Sequence, residues 1–122
     1  MLEKKLLIDG KEVLCGIDFK QYIDNGVLAC LLTFGDEFPC VVTINLPIPP
    51  RFKFGSYIDT NNYPDILPIL KSNNFGILTE VYADSGFCTY PVFIFDKDIV
   101  KEANPEVYND YVKMLEYFEK YK

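Results

Sequence analysis

Short runs of apolar positions fill the first half of the chain, and turn residues punctuate them at close intervals. Leu6, Leu7 and Ile8 form a first strand, which the Asp9-Gly10 dipeptide ends with a strong two-residue hairpin signal. Val13, Leu14, Ile17 and Phe19 return as a second strand, with Gly16 expected to mark a bulge. Asn25-Gly26 is the next turn. It leads into the near-continuous apolar run 27–34 (VLACLLTF), and residues 35–37 reverse the chain into a fourth strand over 40–46. Four consecutive strands with short connections predict an antiparallel meander.

Pro47, Pro49 and Pro50 end that strand, because residues without an N–H cannot continue a ladder. Residues 51–62 read as an extended loop closing on Asp59-Thr60-Asn61-Asn62. A short helix is predicted over 64–72, with Pro64 at its first position and Ile66, Leu67, Ile69 and Leu70 as its apolar stripe. Asn73-Asn74 suit a left-handed stop, and Pro68 predicts a weakened or kinked helix. The longest stretch of strand character follows at 78–96 (LTEVYADSGFCTYPVFIFD), read as two strands around a turn at Ala83-Asp84-Ser85-Gly86. From Phe87 onward both faces are apolar, which places this strand inside a sheet and covered on both sides, with an irregularity at Pro91. At the C-terminus Asn104 suits an N-cap and Pro105 the first helical position. Val107, Tyr108, Tyr111, Leu115 and Phe118 then recur at helical spacing. That stripe either packs on the sheet or forms the seam of a homodimer.

The elements add up to one α+β domain over residues 1–122, in the order β-β-β-β-α-β-β-α. An antiparallel sheet of about six strands forms the core over 6–96, and an amphipathic helix covers one face from 104 to 122.

The chain has 122 residues, nearly half of them hydrophobic, enough to bury about two thirds of the unfolded surface without staples. Its net charge of −6 comes from eighteen acidic and twelve basic residues. That balance disfavours direct nucleic-acid binding, which depends on cations neutralising phosphates. It allows docking on a basic protein, and equally it serves solubility alone. No apolar run approaches the roughly 20 residues needed to span a bilayer, and the N-terminal apolar stretch is too short for a signal peptide, so a cytoplasmic protein is expected. Cys15, Cys30, Cys40 and Cys88 form no CxxC pair, and no histidine is present. They read as reduced, buried hydrophobes, and neither a metal nor a cofactor is expected.

Without histidine the commonest general base and the Ser-His and Cys-His pairs are missing. Phosphate-cradling glycine motifs are absent too, and an enzyme is not expected. The close carboxylate sets, Asp36 with Glu37 and Asp96 with Asp98, read as solvated loop charge. Two polar clusters remain, Asp59 to Asn62 before the short helix and Asp84-Ser85-Gly86 at the hairpin. Such residues usually serve turns and caps. The alternative is a recognition surface where the loops meet, with Tyr63, Tyr82 and Tyr90 as anchors. Together with the acidic turns, the candidate binding residues are Asp36, Glu37, Asp59, Asn61, Asn62, Tyr63, Asp84, Ser85 and Tyr90, with Asp24 as a further acidic turn residue.

In order and spacing, DGKE (9–12), YIDNGVLACLL (22–32), TINLP (43–47), IDTNN (58–62) and SGFCTYP (85–91) resemble an uncharacterised domain-of-unknown-function family. Its members are small proteins carried by phages, plasmids and conjugative elements of Gram-positive bacteria. The resemblance covers residues 6–95, with IDTNN and SGFCTYP its most specific pieces, and helix 104–122 looks like an addition. It implies a mobile-element accessory protein and supplies no catalytic residue. That setting implies a non-enzymatic protein that binds a host or element protein. One form is an antagonist of a host defence nuclease such as CRISPR-Cas, in the manner of anti-CRISPR proteins that occupy a basic nucleic-acid channel. A small-ligand or nucleotide-binding protein, and an accessory factor in replication or transfer, stay open beside it.

Overall fold

The computed structural model describes residues 2–121. Strands β1 (Leu2–Ile8), β2 (Lys11–Gln21), β3 (Leu28–Phe34) and β4 (Cys40–Val41) form one antiparallel sheet in the order β1-β2-β3-β4. Strands β5 (Thr43–Ile44), β6 (Gly55–Ile58), β7 (Gly76–Ser85) and β8 (Cys88–Phe95) form a second, ordered β5-β6-β8-β7. Helix α1 (Ile66–Ser72) precedes β7, while α2 (Lys97–Ala103) and α3 (Pro105–Lys120) close the chain. The fold is α+β and every strand pair is antiparallel, as the pattern predicts. The strands divide between two sheets where one was expected.

The division occurs at Val42. Its N–H donates to the Cys30 carbonyl (3.0 Å) and its own carbonyl accepts from Asp59 N–H (2.8 Å). One extended segment therefore serves β3 before Val42 and β6 after it, so the expected strand over 40–46 becomes β4 and β5. Side chains seal the junction. Thr43 Oγ1 accepts from Cys30 N–H (3.2 Å) and is hydrogen-bonded to the Tyr22 hydroxyl (2.9 Å), and Ser56 Oγ donates to the Leu28 carbonyl (2.7 Å). Strand β6 lies in the stretch read as loop. All four of its residues are buried, and burial between β5 and β8 sets the conformation of a Gly-Ser start that has little intrinsic strand preference.

Strand β8 lies between β6 and β7, and both faces are covered. Phe93 and Phe95 enter the main core, whereas Tyr90 and Val92 pack with Leu46 and Tyr57 in a smaller cluster. The irregularity expected at Pro91 is present. The β6 ladder ends at Tyr57↔Val92, and β7 bulges between Leu78 and Tyr82 opposite this point. The turn is shorter than expected, however. Ser85 pairs with Cys88, leaving Gly86 and Phe87 as a two-residue loop with Phe87 fully exposed. Gly16 makes no bulge, since the β1-β2 and β2-β3 registers run through it unbroken.

Helix α1 begins at Ile66, two residues later than predicted, which puts Pro68 third. An N–H there has no intrahelical acceptor, so the proline does not interrupt the ladder. Helix α2 was not anticipated. Asp96, read as loop charge, is its N-cap and accepts from Asp98 N–H (2.8 Å). Asn104 caps α3 as expected, accepting from Val107 N–H (3.2 Å), while its Nδ2 donates to Asp18 Oδ1 (3.1 Å) and the Phe19 carbonyl (3.2 Å). It thereby reaches β2 just past Ile17, the partner of Leu2. Tyr111 is buried and Val107, Tyr108 and Leu115 are half-buried, but Phe118 is exposed with Tyr117 and Tyr121. The apolar stripe of α3 is thus used mainly by the core, which joins residues from both sheets and all three helices.

Candidate functional site

Three connections leave the same end of the sheets: the β3-β4 turn (35–39), the β6-α1 loop (59–65) and the β7-β8 hairpin. Tyr63 in the second contacts Cys40 at the start of β4, and the Asp59 carboxylate acts electrostatically on both Tyr63 and Tyr90. The hydroxyl pKa of Tyr63 is raised by burial first, then by Cys40 and Asp59. That of Tyr90 is raised by its side-chain hydrogen bond with Cys88 first, then by burial and by the Asp59 charge. Burial, opposed by the Thr43 hydrogen bond and reinforced by Asp59, raises Tyr22 as well. These tyrosines stay neutral, as hydrogen-bonding groups with no nucleophilic character.

Asp59 is the one buried carboxylate among the described residues, 6% exposed. Asn62 meets it twice: its backbone N–H donates to Oδ1 (3.2 Å) and its Nδ2 to Oδ2 (2.7 Å). The Tyr63 N–H donates to the Asp59 carbonyl (2.9 Å). IDTNN, one of the two most specific pieces of the family resemblance, is therefore a self-satisfied turn that sends the chain from β6 into α1.

The candidate residues fall into two groups. Asp59, Asn62, Tyr63 and Tyr90 come together, with Tyr63 half-buried and Tyr90 buried, so neither is a free surface anchor. Asn61 is exposed on the same loop. Asp84 and Ser85 stay on the hairpin, where Thr89 Oγ1 donates to Asp84 Oδ1 (2.6 Å). Asp36 and Glu37 are exposed in the β3-β4 turn, and Asp24 is exposed in the turn between β2 and β3. The exposed aromatics of this end are Phe38, 91% accessible beside Asp36 and Glu37, and Phe87 at the hairpin tip. The strand reading of Phe87 hid the second, and the first stood outside any pattern. No lysine or arginine occurs between Lys20 and Arg51, between Lys53 and Lys71, or between Lys71 and Lys97, so all three connections are neutral or acidic. No group of His, Cys, Asp and Glu among the described residues is arranged to hold a metal.

The cysteines are free but not alike. Cys15 and Cys30 are buried, while Cys40 and Cys88 are half-buried. Burial, partly offset by a backbone hydrogen bond, pushes the Cys15 thiol up to about 11, and burial raises Cys30 further in the same direction. In the native protein at mildly alkaline pH, a thiol reagent is expected to leave Cys15 and Cys30 unmodified and to label Cys40 and Cys88 slowly. All four should react after denaturation. Mass mapping that found Cys15 modified as fast as Cys88 would contradict the burial.

These features define an antiparallel α+β protein of two joined sheets, with neutral or acidic β3-β4, β6-α1 and β7-β8 connections. The chain belongs to the family described as a domain of unknown function (DUF4313), which matches residues 16–115. The match runs through α2 and into α3, past residue 95 where the sequence resemblance was placed to end. No curated protein and no solved structure matches the chain. No helix among the described residues is long and apolar enough to cross a membrane.

Proposed function

We propose that this protein acts by binding another protein, without catalysis, through the acidic end formed by the β3-β4 turn and the β7-β8 hairpin. The observation that carries this reading is the pairing of exposed Phe38 and Phe87 with Asp36, Glu37 and Asp84 on connections that lack any cation. Exposed aromatics supply the anchor of an interface, and surrounding carboxylates steer a basic partner and raise its association rate. The ligand-binding alternative has less support, because Asn62 occupies both oxygens of Asp59 and Thr89 engages Asp84. The mobile-element setting implied by the sequence resemblance directs the search to cytosolic host proteins with basic grooves, nucleic-acid-guided defence nucleases among them.

Capture from a bacterial lysate tests the proposal, with the wild-type protein and the double charge reversal Asp36→Lys/Glu37→Lys compared side by side. Both side chains are exposed in a turn, so the variant should keep the wild-type circular dichroism and melting temperature. Wild type should retain basic proteins that about 0.5 M salt releases, where charges are screened within a few ångströms. The variant should retain markedly less. Equal capture by both forms, or retention indifferent to salt, would refute the acidic surface.

A further inference from the structure

The two long open edges of the fold are β1 in the first sheet and β7 in the second, and they are protected unequally. β1 carries Lys4 and Lys5, the kind of charge that discourages edge-to-edge pairing. The Asn73 side chain also covers it, accepting from Leu7 N–H (2.9 Å) and donating to the Leu7 carbonyl (3.1 Å). β7 has no lysine, arginine or proline, and its charges are Glu80 and Asp84. Ile77 is 67% and Tyr82 58% exposed on it, and only the bulge after Leu78 interrupts its edge.

Which backbone groups of β7 point outward follows from the ladder. Asp96 N–H donates to the Phe75 carbonyl (2.8 Å), so bonded pairs alternate from there and Ile77 bonds to β8. Gly76 and Leu78 then turn their N–H and C=O groups away from β8. Beyond the bulge, Ser85 and Cys88 close the two-residue turn, which leaves Tyr82 and Asp84 facing outward. A groove of about 540 Å³ runs beside this edge, lined in part by Lys71, Ile77, Leu78, Glu80 and Tyr82.

We propose that β7 accepts an extended segment of a partner protein as an added strand, one that alternates apolar residues with lysine or arginine. The proposal rests on the protein-binding reading and specifies its mode. Charge selects the occupant. Pairing of β7 with the β7 of a second copy would bring Glu80 and Asp84 near their own kind, in a hairpin with no cation, and like charges across strands repel. A basic strand can set its cations on the face that carries Tyr82 and Asp84, where the carboxylate attracts them and the Tyr82 ring takes their aliphatic stems, and its apolar residues on the opposite face beside Ile77, while it satisfies the outward N–H and C=O groups.

The probe is a fluorescein-labelled peptide of about ten residues alternating valine with lysine, compared with one alternating valine with glutamate. The lysine peptide should bind saturably and slow amide exchange at Leu78, Tyr82 and Asp84, whereas the glutamate peptide should do neither. Tyr82→Pro removes an outward N–H and leaves the β8 ladder intact, so it should weaken binding about tenfold. Tyr82→Ala, which keeps that N–H, should weaken it much less. If Tyr82→Pro does not fold, Glu80→Lys replaces it and should weaken the lysine peptide while favouring the glutamate one. Equal binding of both peptides, or unchanged exchange along β7, overturns the added strand. Salt-sensitive capture through Asp36 and Glu37 that persisted in that case would leave the protein-binding reading standing.

Discussion

Phe93→Ala is expected to lower the unfolding free energy by about 3–5 kcal/mol, the range for deleting a fully buried phenylalanine ring. Phe93 has no exposed surface and lies mid-strand in β8, paired with Ser56 on one side and Leu78 on the other. Its ring meets Phe95 edge-on with centroids 5.2 Å apart, and Phe95 meets Phe19 of the other sheet in the same way at 5.1 Å. The deletion therefore removes one member of a three-ring chain that bridges the sheets. Ser56 opposite is too small to fill the space, and its hydroxyl is committed to the Leu28 carbonyl. Urea unfolding should show a lower midpoint with an unchanged slope. Phe87→Ala in the same hairpin is the control, within about 0.5 kcal/mol of wild type because its ring touches solvent alone. A loss below about 1 kcal/mol at Phe93 would remove β8 from the core.

What the sequence made legible was whatever local chemistry decides. Asp9-Gly10 takes positive φ at both residues, Asn74 takes the left-handed stop, and Asn104 with Pro105 opens α3. The misreadings share one cause, which is long-range burial. A run of apolar residues over 40–46 does not reveal that its hydrogen bonds change partner at Val42. Residues 55–58 carry no strong strand pattern, and their conformation comes from lying between β5 and β8. Helix α2 is a single seven-residue stretch whose buried side, Ile99, Val100 and Ala103, is too short to register as a period.

The candidate site divides along the same line. Exposed charge at Asp36, Glu37 and Asp84 was readable, because polar residues in turns stay outside. Tyr63 and Tyr90 were misplaced as anchors, whereas Tyr82, the third tyrosine proposed for that role, is exposed on β7. Tyr90 belongs to the buried face of β8, and Tyr63 tucks against Cys40. The hydroxyls of Tyr63 and Tyr90 made them look like surface residues, while Phe38 and Phe87, both apolar, are left in solvent, as Tyr82 is. Identity alone ranks tyrosine above phenylalanine at a surface. Position in a two-residue turn outweighs that ranking.

Gly76→Ala is expected to destabilise by about 3 kcal/mol or more, through backbone collision. The chain leaves α1 through Asn74 and buried Phe75, then swings into β7 at Gly76 with φ of 153°. A Cβ there would lie 2.0 Å from the Ile94 carbonyl oxygen and 2.9 Å from Phe95 Cα. Neither is a side chain that can rotate away. Ile94 is paired with Gly55 on one side and Ile77 on the other, so β8 is fixed by both neighbours and β7 must give way. Gly86→Ala separates this clash from the cost of positive φ alone. Gly86 has φ of 63° with nothing within 4 Å of a Cβ, so its substitution should cost about 1 kcal/mol. The two variants, compared by urea unfolding and amide exchange, should differ in place as well as size. Gly76→Ala should accelerate exchange at Ile77, which bonds to β8, whereas Gly86→Ala should leave Ile77 protected. Equal losses in the two variants would mean that β7 relaxes around the methyl. In that event the approach of the strands at Gly76 is not what holds the edge of the second sheet in place.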